Sequence, residues 1–341
     1  MKKVILIENG EKYDLLKFVL AIFIVILHCK ILPSELVPIL RIAVPTFFIM
    51  SSFFFFMKYN SLNDDKERKK AIWHFVKRNL KLYLFWFILL LPISLITKDW
   101  FSHGVVYGCV KITHSFLCGS TFAASWYITS LIFSVVSICY LSRTISNNAL
   151  FTISLFIYIL CLCDTNYYHL FERYELFKTI RNTYHNIFGV PYTSFPVALI
   201  WTSIGKFIAE NKKQLKLNLL NKLLIASCIA FCIEQYIIEH YRLAIDSDCN
   251  ISMIFLCPLL FLVLSKHNIH VPKPLVLRKA SIIIYCSHLS ILNLLIVIEH
   301  NYCSQITPLH CNFAIIILAE VILVTFILIF SNKIPILKYS Y

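Results

Sequence analysis

Charge is scarce in this chain. Only 15% of its 341 residues are Asp, Glu, Lys or Arg, where soluble proteins carry about 25%, and the shortfall excludes a soluble globular domain. Acidic residues are scarcer than basic ones, 18 against 32, which leaves a formal net charge of +14. One basic patch of that size would suit nucleic acid. The Lys and Arg residues instead fall in short stretches between apolar runs, as in loops on the cytoplasmic face of a membrane, so no nucleic-acid partner is expected. Six glycines and eleven prolines are spread along the length without a long polar or low-complexity tract. Nothing divides the chain, and residues 1–341 read as one integral-membrane domain. The thirteen cysteines include no CxxC pair, Cys161 and Cys163 being the nearest two. Cys109, Cys139, Cys161, Cys228, Cys257 and Cys286 lie in apolar runs and read as buried thiols, with no metal expected. A cleavable signal is not expected either, because the first apolar run is too long, lacks a small-residue cleavage site and is soon followed by another.

What the chain does hold is apolar sequence. Hydrophobic residues make up 59% of it, including 28 Phe and 18 Tyr, and its mean hydropathy is +0.74. Runs near the length of a membrane-crossing helix fall at 14–32, 37–57, 82–97, 126–141, 149–163, 191–209, 222–239, 251–264, 281–299 and 312–330. Residues 104–118 leave room for a further half-helix. The expected fold is all-α: a polytopic helix bundle in a lipid bilayer, with about ten transmembrane helices. Charge tests the arrangement. With the N-terminus inside, the inner segments hold 22 Lys and Arg residues and the outer ones six, which fits an even number of crossings with both termini cytoplasmic.

The first run carries two polar residues at a telling interval. Every side chain between Lys17 and His28 is apolar, and a polar residue inside a bilayer is costly enough to mark a candidate functional site. Eleven helical steps of about 100° close roughly three turns, so both residues share one face about 16 Å apart along the axis. The expected orientation places Lys17 toward the inner end and His28 toward the outer. The outer loops 98–125 and 164–190, with Trp126 directly after the first, are rich in aromatic and polar residues, among them Trp100, His103, His114, Tyr167, Tyr168, His169, Tyr184 and His185. They read either as an interfacial aromatic belt or as a surface on which a sugar stacks.

Six short motifs follow one another along the chain. They are Lys17 with His28; Arg41-Ile42-Ala43-Val44-Pro45-Thr46-Phe47-Phe48-Ile49-Met50-Ser51-Ser52; Lys77-Arg78-Asn79-Leu80-Lys81; Trp126-Tyr127-Ile128; Ile204-Gly205-Lys206-Phe207-Ile208-Ala209; and Ser281 to His288. In that order and at compatible spacing they resemble the acyltransferase-3 family of membrane proteins over nearly the whole chain. The family pattern has a basic residue and a His in the first helix, V-P-x-F-F-x-x-S-G in the second, R-x-x-R at the third, and a late S-Y-x-I-Y-x-x-H. This chain departs from it in four places. Lys17 replaces the commoner Arg, Ser52 the Gly, Lys81 the second Arg, and Ile282 the Tyr. Lys in place of Arg keeps the charge but loses the planar two-pronged fork.

The resemblance implies an enzyme of a bacterial inner membrane. It would move an acyl group, most commonly acetyl, from cytoplasmic acetyl-CoA or another acyl-CoA to a hydroxyl of a cell-surface or lipid-linked glycan. It implies roles as well. His28 would be the general base for the hydroxyl or would itself carry the acyl group. Lys17 would steady the thioester carbonyl or a phosphate, or else serve as a helix-end anchor paired with Asp14. Arg78 and Lys81 would bind the CoA phosphates, although ordinary inner-face charge also accounts for them. Arg41 and Trp126 would hold the acceptor, with a plain interfacial role as the alternative. Tyr285 and His288 fit either a polar pairing with another helix or simple packing. No appended soluble domain is expected, so residues within the spans or a separate partner would complete transfer. The rival class is a transporter or flippase of lipid-linked saccharides, which internal repeats would favour; the two halves show no such similarity. A glycan polymerase would favour a larger outer loop than 164–190.

Overall fold

The computed structural model describes residues 10–118, 125–193, 195–211, 215–246, 248–302 and 313–341, and all regular elements among them are helical. In chain order the α-helices are α1 Glu11–Cys29, α2 Val37–Leu40, α3 Ala43–Asn60, α4 Asp65–Thr97, α5 Val105–Cys118, α6 Ser125–Leu141 and α7 Asn147–Asp164. They continue with α8 Tyr168–Phe171, α9 Glu175–Phe188, α10 Ala198–Glu210, α11 Leu217–His240, α12 Met253–Lys266, α13 Pro274–Tyr302 and α14 Phe313–Phe330. Among the described residues six stretches are long and apolar enough to cross a membrane. They are Ser34–Asn60, Asp65–Thr97, Asn147–Asp164, Leu217–His240, Pro274–Glu299 and Phe313–Phe330. A bent pair, Glu175–Thr193 with Phe195–Glu210, makes a seventh if it forms one span. The chain is a multi-pass, all-helical membrane protein. Helix α1 is long enough but carries Glu11, Lys12, Asp14 and Lys17 in its first two turns, and α6 and α12 are shorter apolar helices.

Hydropathy alone misplaces several boundaries. Helix α4 begins at Asp65, well ahead of residue 82, because Asp64 caps it by accepting from the Lys66 amide and nothing in the charged stretch that follows breaks a helix. The run 37–57 is interrupted at Arg41–Ile42, between α2 and α3. The outer loops are not simply loops: 98–125 contains α5, and 164–190 contains α8 and α9. Helix α9 buries none of its residues. Its inner face is polar and is held by Asp164 at the end of α7, which accepts from the Arg181 Nε and pairs with His185 Nε2 at 2.6 Å. Lys2, Lys3, Lys212 and Lys213, part of the inner charge count, lie outside the described residues, as do residues 119–124 of the outer loop and residue 312 of the last run.

Two close packings set the bundle. Helix α1 lies along α13, and α10 lies along α3. The second contact needs Gly205: a Cβ there would sit 1.9 Å from Ser52 Oγ and 2.7 Å from the Ile49 carbonyl oxygen. Ser52 turns its hydroxyl back on its own helix, donating to the Phe48 and Ile49 carbonyls at 2.7 and 3.1 Å. A glycine facing a small residue lets two backbones approach where lipid offers no hydrophobic drive for association. At the Lys17 end, Lys12 Nζ donates to the carbonyls of Ser265 and His267 at 2.5 and 3.0 Å. Asp14 accepts two bonds from Arg278, both 2.8 Å. Together these bonds join the start of α1 to the end of α12 and the start of α13.

Candidate active site

An open cavity lies at the opposite end of α1, and His28, Arg41 and Trp126 line it together. Three residues predicted on separate helices thus meet in one space. Tyr285 and His288 from α13 complete the wall, with Tyr158 and Trp201. His28 comes here because α1 runs unbroken from Lys17. His288 comes because α13 packs along α1, with the two imidazole centroids 5.3 Å apart and their planes tilted by 32°.

The hydrogen bonding of His288 settles its tautomer. Its Nδ1 lies 3.0 Å from the Ile284 carbonyl oxygen, one turn back on the same helix, so this nitrogen carries the proton and donates. Nε2 is then the lone-pair nitrogen, and it is buried without a partner among the described residues. Ser287, the next residue back, faces away from the cavity and donates to the buried carboxylate of Glu320 on α14 at 2.8 and 2.9 Å.

Arg41 does not stand as a lone cation. Its guanidinium pairs closely with Asp248, whose side chain is 3% exposed, and reaches Asp246 at 3.6 Å. Tyr192 hydrogen-bonds Asp246 at the same rim. Burial pushes the Asp248 carboxyl up from the ordinary carboxylate range, against the downward pull of Arg41. Two polar atoms of this pair have no partner among the described residues, Arg41 Nε and Asp248 Oδ2. The segment carrying Asp248 is anchored from below. Glu234 on α11 accepts from the Ile251 and Ser252 amides at 2.7 and 2.8 Å and from the Tyr167 hydroxyl at 2.7 Å. The Asn250 side-chain carbonyl takes bonds from Asn166 at 2.8 Å and Gln235 at 2.5 Å, and its backbone carbonyl takes one from Tyr158 at 2.8 Å.

Lys17, Arg78 and Lys81 are absent from the cavity wall. Lys17 lies over the Phe54 ring at 5.8 Å, within electrostatic reach of Asp14, Arg78 and Arg278. Asp14 is committed to Arg278, so it does not form the simple i,i+3 pair with Lys17 that the spacing allows. Lys81 rests 4.9 Å above the Tyr339 ring and is exposed, as is Arg78. Arg78, Lys17 and Arg278 therefore make one basic cluster, and Lys81 stands apart from it. A line of aromatic side chains runs from near the cluster to the cavity. Tyr127, within electrostatic reach of Arg78, has its hydroxyl 3.1 Å from Ser51 Oγ; the Tyr127 ring is 5.3 Å from Tyr285, and Tyr285 is 6.1 Å from His288.

Asp248, Asp246 and Arg278 joined these sites without being singled out in the sequence. The two aspartates lie in a short stretch between apolar runs, and Arg278 is one of many cations flanking such runs. Among the described residues no group of three or more His, Cys, Asp or Glu side chains is placed to hold a metal ion.

Comparison with known proteins gives three results. The chain is 21% identical over 237 residues to a serine/alanine racemase of Enterococcus gallinarum, a match covering 67% of this chain and 33% of that protein. It therefore spans about a third of the length of this curated relative. No solved structure matches it. The sequence model of the acyltransferase domain matches residues 11–331, nearly the whole chain and all six motifs, and the protein therefore belongs to the acyltransferase-3 family of membrane acyltransferases.

Proposed function

We propose that this protein is an O-acyltransferase of a bacterial inner membrane, moving an acetyl or related acyl group from cytoplasmic acyl-CoA to a hydroxyl of a cell-surface or lipid-linked glycan. In this reading residues 1–341 form one domain. The ten crossing helices are α1, α3, α4, α6, α7, α10, α11, α12, α13 and α14, and both ends of the chain are cytoplasmic. The observation that carries the proposal is His28 in a cavity walled by aromatic rings, at the far end of the same helix from a basic cluster. A neutral imidazole is a competent base for a hydroxyl. Rings such as Trp126 and Trp201 suit the apolar faces of a sugar.

The reaction needs few parts. His28 takes the proton of the acceptor hydroxyl as its oxygen attacks the thioester carbonyl. The C–S bond breaks, and the proton passes from His28 to the departing sulfur, leaving an ester and free CoA. Lys17, Arg78 and Arg278 hold the phosphates of the donor at the inner end, while its thioester reaches along α1 toward His28. Lys81, resting on Tyr339, adds long-range charge there. The protein in proteoliposomes, given acetyl-CoA and a glycan acceptor, is expected to release CoA thiol, and His28→Ala to stop the release. Undiminished turnover in that variant would remove His28 from the role of base or acyl carrier.

A further inference from the structure

The charges at the rim of the His28 cavity bear on the kind of acceptor it takes. Arg41 and Asp248 are the lining residues with a formal charge apart from the two imidazoles, and Asp246 sits 3.6 Å from the same guanidinium. One cation thus faces two carboxyls. The cluster is net −1 when both carboxyls are ionised and neutral when they hold one proton between them. In neither state does it present positive charge to a ligand. A carboxylate or phosphate entering here would lose its hydration without meeting a compensating cation, the costliest way to bury a charge.

The same cluster offers unused hydrogen-bonding capacity of both kinds. Arg41 Nε is a donor and Asp248 Oδ2 an acceptor, both buried and without partners among the described residues. Buried polar atoms left open in this way are rare and costly. Hydroxyl groups, which both donate and accept, supply partners of both kinds. The Glu234 and Asn250 networks hold the segment bearing Asp248 in place, so the cluster is built before any ligand arrives.

We infer that Arg41, Asp246 and Asp248 form an acceptor clamp selective for neutral polyhydroxyl compounds, sugars without a carboxylate or phosphate, and that Arg41 serves there as a paired donor to hydroxyls rather than as an anion-binding residue. The inference rests on the acyl-transfer reading for the purpose of the site, but binding can be measured without turnover. Trp126 and Trp201 in the cavity wall provide the signal. Two matched pairs of ligands are titrated against the protein in detergent while tryptophan fluorescence is followed: methyl glucoside with methyl glucuronide, and methyl galactoside with methyl galacturonide. Each neutral glycoside is expected to bind at least tenfold more tightly than its uronate. Asp246→Asn/Asp248→Asn, which uncovers the Arg41 charge, is expected to shift that ratio at least tenfold toward the uronate. Asp246→Asn alone, at a side chain 34% exposed, shifts it in the same direction and serves if the double variant does not fold. Uronates binding as tightly as their neutral partners, no binding of any neutral glycoside, or a ratio unmoved by the folded variant would each overturn the clamp. CoA release with the same ligands separates the two claims. Selective binding without CoA release rejects acyl transfer and keeps the clamp, whereas CoA release with uronates preferred rejects the clamp alone.

Discussion

His28 and His288 face each other across the helix pair α1 and α13, ring centres 5.3 Å apart, and the nearer helix turn fixes the second imidazole with Nδ1 donating to Ile284. A small side-chain rotation brings two imidazole edges at that separation within the ~3 Å of a hydrogen bond. When His28 takes a proton, the open Nε2 of His288 offers a lone pair able to share the charge. His288→Phe keeps the shape of the wall and removes that lone pair, so kcat is expected to fall about a hundredfold, the low end of a general-base contribution, with KM for acyl-CoA unchanged. His288→Gln, which restores an acceptor, is expected to recover part of the loss. CoA-release kinetics on the two variants decide it; equal rates in Phe and Gln variants would leave His288 a packing residue.

Arg78 belongs to the basic cluster with Lys17, whereas Lys81 stacks on Tyr339. The two cations of one helical turn should therefore differ in effect. Arg78→Ala is expected to raise KM for acyl-CoA about tenfold, the loss of one charge-assisted bond of about 1.4 kcal/mol. Lys81→Ala should change it less than threefold. Initial rates against acyl-CoA concentration test the difference, and equal effects would mean that both act as general surface charge.

Close approach of α10 to α3 at Gly205 predicts a stability effect away from the cavity. Gly205→Ala drives a methyl into Ser52 Oγ and the Ile49 carbonyl, and overpacking of this kind costs about 1–3 kcal/mol. Thermal unfolding in detergent is expected to shift to lower temperature. Adding Ser52→Ala should recover only part of the shift, because the Ile49 carbonyl is backbone and stays where it is.

Glu320 is 1% exposed and accepts from Ser287. Ser287→Ala leaves its carboxyl without that donor, at a cost of about 1–3 kcal/mol. Ser287→Ala/Glu320→Leu removes both partners and is expected to be more stable than Ser287→Ala alone. Unfolding midpoints for the two single variants and the double variant give the coupling. Additive effects would show that the bond contributes nothing.

Sequence by itself was enough for the class of the protein: an all-helical membrane chain, because scarce charge and long apolar runs leave the backbone no other way to satisfy its hydrogen bonds in lipid. It also singles out His28 as a candidate, since one histidine at the end of eleven helical steps from a lysine is conspicuous in an apolar helix. Boundaries were less legible where charge hides helix, as at Asp65–Lys81, or where polar helices such as α9 lie over the bundle. The surroundings of Arg41 could not be read at all. Asp246 and Asp248 are some two hundred residues away in sequence, in a loop held by Glu234 and Asn250, and only the folded chain sets them against the guanidinium. Helix periodicity reports which residues share one face, so it finds Lys17 and His28 together. It carries no information on which helices become neighbours, and that packing is what placed His288 beside His28 and turned Arg41 from a free cation into a neutralised one.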